Sequence, residues 1–579
     1  MKLEDANKFL DNKGLKHPIL EALNPSVDEY GILLVQPRGE IEASKSRVGN
    51  HDQEIAIDQY TKLLEEASER QTDLVVAPEY CIPWNSLKNA INNGHIPGAG
   101  CLWALGCESL TIAELESLGD ELKDKAYILY EDLDTEAAKK KSFLDPLAYV
   151  FRTKDGNNED CLVILIQFKT HISIDDERIE GDNLYCGESV YVFGTLGETI
   201  RLFSLICSDA FGAKEETLKG YLDRTIILHI QLNPNPRQDT FRSYREHFFK
   251  YAKYESELIC LNWASNIHEC IEEGDDKDWK NIAGSAWYLR PDKFDYSDER
   301  INENHSAGLY FTHLKSMKWN VMFLNYNPGA YILRASKVWH DENVPAVQSK
   351  RIGPRLQDIL QWDDGNKNWI SNPKSEDGFN NLLQPFGEDT GPLNNIYAIN
   401  PIYVERFLAL VAGEISSPDK WHNVTELDSF TIDVYEYIKR ITFTQDTEQV
   451  CVDFRNARVR NFISCCHTLN QFTKWPPELS DLADGYEFLW EPDCPHSTVK
   501  SKIGEFATLV YLGEDRLESE LKAVGDKLRT ALHRKDQPTE RLGVFYRRQG
   551  QPKVWLHPDS KRFDKPGDTS PVDITGGEL

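Results

Sequence analysis

The chain has no long hydrophobic run. Its longest apolar stretches, such as Leu162 to Ile166, are strand-sized, far short of the 20 or so residues a membrane helix needs. The opening residues, Met1 to Lys8, hold no apolar signal core. Positive charge is in deficit, with 65 Lys and Arg against 94 Asp and Glu. That imbalance opposes nonspecific binding of nucleic acid by the whole surface. The 12 cysteines follow no framework spacing. With no secretory signal, this predicts reduced thiols, a cytoplasmic protein and no membrane contact. Walker loops, dinucleotide glycine patterns, kinase signatures, internal repeats and low-complexity tracts are all missing.

A chain of 579 residues exceeds one hydrophobic core, so at least two domains are expected. Residues 1–27 read as a short helical extension. Tyr30 to Val35 reads as a strand, Gln53 to Arg70 as an amphipathic helix, and Leu74 to Ala77 as the next strand. That order is the βαβ pattern of an α/β domain, expected over 28–345. Between 346 and 395, Pro, Gly, Asn and Asp become frequent, as in a linker or irregular connection. The region 396–579 is expected to be a mostly helical or mixed domain. Tyr403–Val411, Lys500–Leu512 and Arg516–Arg534 are its predicted helices.

Three chemically active residues each follow an apolar strand: Glu79 in Ala77-Pro78-Glu79-Tyr80, Lys169 in Gln167-Phe168-Lys169, and Cys207 in Leu205-Ile206-Cys207-Ser208-Asp209. Singly, each has an ordinary reading: a core thiol, or surface charges. Together a carboxylate, an amine and a thiol supply a base, a cation and a nucleophile. Open α/β sheets place their sites at strand exits. Further out, Cys465, Cys466, His467, Cys494 and His496 lack zinc-ligand spacing. In the cation-rich stretch 534–566, aromatics interleave with Arg and Lys, a pattern that can grip single-stranded nucleic acid or a protein partner. A terminal hairpin with its aromatics packed inward is the simpler reading.

These three motifs, in this order and at this separation, resemble the nitrilase (carbon–nitrogen hydrolase) superfamily over about residues 28–340. The resemblance implies a four-layer α-β-β-α sandwich, with Glu79 as general base, Lys169 as cation and Cys207 as nucleophile. It also implies a second carboxylate, assigned to Glu180, with Glu177 as runner-up. Asn262 resembles the family's asparagine after the late helix. Tyr80 and Ser208 are expected at the substrate. Such a site needs no metal and no organic cofactor, and members of the family usually form homodimers or larger homo-oligomers. The implied reaction is hydrolysis of a small amide, or of a nitrile, through a cysteine thioester; acyl transfer to an amine is a variant. An alternative is a regulated nitrilase-like sensor or effector of a multi-component bacterial system such as phage defence, with the C-terminal domain binding a partner. The sequence departs from the pattern at Ser208, at 228–234, at the basic stretch with Arg237, Arg242 and Arg245, and at an acidic insertion from Glu269 to Trp279. A helix is expected to open at Ser208.

Overall fold

The computed structural model describes residues 1–173, 177–194, 200–213, 215–218, 220–233, 244, 245, 248, 250, 256–264, 267–271, 276–278, 285–290, 309–314, 319–324, 328–339, 354–372, 381–393, 395–399, 401–414, 449–490, 497–533 and 539–556. Two compact units emerge. One is built mainly from Met1–Glu376, the other from Asp377–Thr425 and Thr447–Leu579. Among the described residues, no helix is long and apolar enough to cross a membrane.

The first unit carries two large mixed sheets. In one, nine strands run in the order Asn368–Ser371, Arg355–Asp363, Gly329–Ser336, Glu29–Gln36, Leu74–Ile82, Leu102–Cys107, Pro146–Lys154, Asp160–Phe168 and Tyr127–Tyr130. In the other, the order is Lys2–Asp5, Ser189–Phe193, Arg201–Ile206, Thr225–Ile230, Ser256–Leu261, Ala286–Arg290, Trp319–Phe323 and Tyr310–Leu314. Their central strands are buried along both faces; Leu74–Ile82 and Arg201–Ile206 are buried at every position. Uninterrupted apolar runs are what two covered faces require. Side chains join the sheets directly. Tyr30 donates to Glu257 at 2.7 Å, and Gln167 donates to the Ser204 carbonyl at 3.0 Å while accepting from the Tyr191 N–H at 3.0 Å.

The helix expected at Gln53–Arg70 forms over those residues. Asp52 caps it, accepting from the Ile55 N–H. Its apolar stripe of Ala56, Tyr60, Leu63, Leu64 and Ala67 is buried, as helical spacing requires. The N-terminal extension differs in part, since Lys2–Asp5 is a strand that pairs parallel to Ser189–Phe193 before the helix Ala6–Asn12 begins.

Two expectations are corrected. Within the segment 346–395, read as a linker or irregular connection, Arg355–Asp363 and Asn368–Ser371 form a hairpin at the edge of the nine-stranded sheet. Its Asp-Asp-Gly-Asn texture belongs to a turn, where the Asp363 carboxylate accepts from the N–H groups of Gly365 and Asn366. Trp362 and Trp369 face each other across it, with ring centroids 5.8 Å apart. In the second unit, Lys500–Leu512 is not a helix. Val499–Ser501 and Phe506–Glu514 are antiparallel strands, with Gly504 at φ +97° between them. The apolar run of Phe506 to Leu512 suits a strand, and only a residue free of Cβ takes that turn cheaply.

The second unit is therefore mixed. Its sheet runs Tyr486–Phe488, Val499–Ser501, Phe506–Glu514, Leu542–Arg548, Gln551–Trp555. Helices Pro401–Val411, Gln449–Asn470 and Glu518–His533 accompany it. In the cation-rich stretch, Leu542–Arg548 and Gln551–Trp555 form a hairpin whose Val544 and Phe545 are buried. Residues 534–538 and 557–566 of that stretch lie outside the described residues.

One glycine sets the path of the strand that delivers Glu79. A Cβ on Gly106 would lie 2.0 Å from the Pro78 carbonyl oxygen and 2.8 Å from the Glu79 nitrogen. Both are backbone atoms in a buried sheet, so neither can yield without moving the strand. Gly106→Ala is expected to cost about 1–3 kcal/mol, the usual range for overpacking. A fall in melting temperature, together with slower alkylation of Cys207, is the outcome to measure.

Candidate active site

Each predicted residue sits where a strand of one of the two sheets ends. Glu79 lies in the irregular end of Leu74–Ile82, where the register with Leu102–Cys107 shifts between Ala77 and Ile82. Lys169 follows Asp160–Phe168, and Cys207 follows Arg201–Ile206. All three are buried: Glu79 and Lys169 are each 1% exposed, Cys207 6%.

The Lys169 ammonium is the centre of the group. Its Nζ donates to Glu79 Oε1 at 2.8 Å and to Glu180 Oε1 at 2.5 Å. Asp145 Oδ2 lies 3.6 Å away. Burial works against the charge of Lys169, but its neighbours, Glu180 first and then Glu79, outweigh it and hold the amine well above its ordinary value. One carboxylate oxygen each of Glu79, Asp145 and Glu180 falls within 4.8 Å of the others, a spacing that would suit a metal ion. The ammonium already supplies the cation there. Of the thiols and imidazole weighed as zinc ligands, Cys465 and Cys466 are buried in the helix Gln449–Asn470 and His467 is exposed. Cys494 and His496 lie outside the described residues.

The carboxylates are held from behind. Glu79 Oε2 accepts from the Leu232 N–H at 2.6 Å, and the Glu79 carbonyl accepts from Trp263 Nε1 at 2.9 Å. Asn262 braces that loop, accepting from the Asn233 N–H at 3.0 Å and donating to the Asn233 carbonyl at 2.6 Å. Glu180 lies in a wide helical turn, Glu177–Gly181. Its Oε2 accepts from the Ser173 N–H at 2.7 Å, and its Oε1 from Tyr80 at 3.3 Å. Tyr80 thus steadies the second carboxylate. The side chain of Glu177, the runner-up, lies outside the described residues.

Cys207 interacts electrostatically with the whole group. Burial and then Glu79 push its thiol well above the ordinary value, and Lys169 pulls the other way. The sulfur is therefore held as a thiol. Its backbone is pinned in the left-handed region at φ +39°, where non-glycine residues cost about 1–3 kcal/mol. The Cys207 N–H donates to the Ile230 carbonyl at 2.8 Å. The Cys207 carbonyl lies 2.9 Å from His229 Nε2. A carbonyl can only accept, so that nitrogen carries the proton. His229 Nδ1 then accepts, with Gln231 Nε2 at 2.7 Å and the Tyr244 hydroxyl at 3.1 Å. Burial lowers His229 to about 3, so the ring stays neutral.

The helix expected at Ser208 is a single turn, Asp209–Gly212, and a second turn follows at Glu215–Leu218. So short a helix lends little dipole to the sulfur. Instead, Asp209 ties the nucleophile turn to the lysine loop. Its Oδ1 accepts from the Thr170 N–H at 2.7 Å, the Thr170 hydroxyl at 2.8 Å and the His171 N–H at 3.1 Å, and its Oδ2 accepts from the Ile206 N–H at 3.1 Å. Burial lifts its carboxyl to about 6 even against those hydrogen bonds. Ser208 Oγ donates to the His171 carbonyl at 2.5 Å, so its hydroxyl serves the same tie.

Sequence reasoning missed two residues. His229 had a signal, a polar side chain inside the apolar strand Thr225–Ile230. Asp145 had none, because an Asp before a Pro at a strand start reads as a turn residue.

No protein-family model matches the chain, and no curated protein matches it. Solved structures of nitrilase-superfamily proteins match the N-terminal part. A CN-hydrolase superfamily protein of Xanthomonas campestris is 13% identical over 42% of this chain and 78% of its own, with a TM-score of 0.25. A Nesterenkonia amidase variant, described as carrying a covalent acetamide group on its active-site cysteine, is 12% identical over 46% of this chain and 84% of its own, with a TM-score of 0.25. The glutamine-dependent NAD+ synthetase of Acinetobacter baumannii is 12% identical over 88% of this chain and 83% of its own, with a TM-score of 0.24. Likeness at these TM-scores carries no weight for fold or activity.

Asp209→Ala removes one acceptor from three backbone N–H groups, those of Thr170 and Ile206 buried and that of His171 part-buried. Each unsatisfied donor costs about 1–3 kcal/mol. A marked drop in melting temperature and faster proteolysis within 170–212 are expected; a variant as stable as the parent would show that the tie contributes nothing.

Proposed function

We propose that the chain hydrolyses a non-peptide carbon–nitrogen bond, amide before nitrile, through a thioester on Cys207. The observation that carries this reading is the buried Lys169 ammonium, clasped by Glu79 and Glu180, with its loop tied to the Cys207 turn through Asp209. The proposed architecture around it is the four-layer α-β-β-α sandwich, with the two large sheets as its inner layers.

In this mechanism Glu79 accepts the thiol proton as Cys207 Sγ bonds to the amide carbon. Lys169 and the Ser208 N–H stabilise the negative charge that develops on the amide oxygen. The carbon–nitrogen bond breaks as Glu79 returns its proton to the nitrogen, and ammonia or an amine departs. A water then attacks the thioester and gives a proton to Glu79. The sulfur–carbon bond breaks, the acid leaves and Cys207 recovers its proton. Lys169 stays charged throughout, since Glu180 remains to hold it. Tyr80 and Ser208 border the substrate in this scheme through backbone and ring atoms, their hydroxyls being engaged elsewhere.

A screen for ammonia release across small amides and nitriles tests the reading. Cys207→Ala is expected to reduce release to background with every substrate that the parent turns over. Release surviving that substitution overturns Cys207 as nucleophile. The pH profile supplies a second test. Burial raises the Glu79 carboxyl, with Glu180 adding to the rise and Lys169 opposing it. Protonated Glu79 cannot accept the thiol proton, so kcat/KM is expected to fall with decreasing pH at a value above the ordinary glutamate range of about 4.3. An acid limb at or below that range contradicts Glu79 as base.

A further inference from the structure

The mechanism above uses two of the three carboxyl groups around Lys169. Asp145, the third, is 1% exposed and opens the strand Pro146–Lys154. Its backbone carbonyl accepts from the Lys169 N–H at 2.9 Å, so strand pairing fixes it beside the lysine. Its Oδ2 stands 3.6 Å from Nζ, whereas Glu79 and Glu180 take the close positions at 2.8 and 2.5 Å. No described donor meets either Asp145 oxygen at hydrogen-bond distance; the Tyr80 hydroxyl stands near it but is turned to Glu180, while one Asp145 oxygen lies within 4.8 Å of a Glu79 oxygen.

A buried carboxylate that accepts no hydrogen bond is costly. Here the cost rises further, because Glu79 and Glu180 already place two negative charges against a single ammonium. Two carboxyl groups in one site do not both ionise easily; one keeps its proton, and the pair shares it. A carboxylic acid at Asp145 removes the excess charge. It also converts an acceptor with nothing to accept into a donor, with Glu79 as acceptor.

We propose that Asp145 is a positioning residue: it holds one proton, shared with Glu79, and through that hydrogen bond fixes the Glu79 carboxylate between Lys169 and Cys207. The groups around it agree. Burial first, and then the charge of Glu79, push its carboxyl well above the ordinary value, against the pull of Lys169. Tyr80 and Cys107 face it from neighbouring strands and Cys186 from the loop after Glu180. Burial keeps all three neutral, raising each above its ordinary value. The Tyr80 hydroxyl is turned to Glu180, and Lys169 is the one cation of the group among the described residues.

This inference rests on the proposed Glu79–Lys169–Cys207 chemistry, and its test separates the two. Alkylation of Cys207 by iodoacetamide at neutral pH, followed by peptide mass spectrometry, reads the reactivity of the thiol without a known substrate. Glu79→Gln is the control: if it labels as fast as the parent, the base assignment itself falls. With that control slow, Asp145→Ala is expected to slow labelling by about tenfold or more, the worth of one hydrogen bond to a charged group. Asp145→Asn, whose amide keeps a donor and cannot ionise, is expected to restore the rate to within about threefold of the parent. Rescue by Asn is not expected of a residue that acts through its negative charge. If Asn is as damaging as Ala, or if Ala labels like the parent, the proposal is overturned. Infrared spectroscopy gives an independent readout on variants that fold. The parent at neutral pH should show a neutral-carboxyl stretch that Asp145→Asn removes. A spectrum unchanged by that substitution also overturns the proposal.

Discussion

One ammonium organises this site. Lys169 Nζ reaches two carboxylates directly and a third at longer range, in a place closed to water. An unpaired ammonium there would cost several kcal/mol. Three carboxyl groups without it would repel one another. Each component is therefore tolerable only because the others are present. The same surroundings keep Cys207 a thiol. The orientation of Glu79 is overdetermined, with Lys169 on one oxygen and the Leu232 N–H on the other.

The surroundings serve to hold loops that come from different strands. Asp209 gathers N–H groups from both the lysine loop and the strand that ends at Cys207. His229 and the Ile230 carbonyl hold the Cys207 backbone from opposite ends, at a dihedral angle that a free cysteine would seldom adopt. Asn262 and Trp263 secure the loop and the strand behind Glu79. The backbone around Cys207 is therefore fixed by its own hydrogen bonds. That is the condition under which fixed dipoles stabilise developing charge without reorganising.

The two units were unequally legible. In the first, the apolar runs Tyr30–Val35 and Leu74–Ala77 became the strands Glu29–Gln36 and Leu74–Ile82. Runs of that kind announce themselves when both faces of a sheet are covered. The hairpin at 355–371 was harder to see, because its strands form an edge and its turn is polar. In the second unit, Lys500–Leu512 reads as helix from sequence, whereas Phe506–Glu514 is a strand, because a short apolar run carries little periodicity to separate the two periods. Helix Glu518–His533, with Leu521 and Leu528 one stripe apart, did not suffer from this.

By itself, the sequence determined the chemistry on offer: a carboxylate, an amine and a thiol, each placed directly after an apolar strand. Local pattern suffices for that, since strand ends follow from runs of residues and from Pro and polar punctuation. Only the tertiary structure decided that Lys169 meets Glu79 and Glu180 directly, that Asp145 joins them, and that the Cys207 turn is tied to the lysine loop. It also decided that Asp209, not a helix dipole, couples the lysine loop to the cysteine turn. Those contacts span tens to hundreds of residues, and their strength depends on burial. Burial is a property of the assembled sheets, which no short stretch of sequence records.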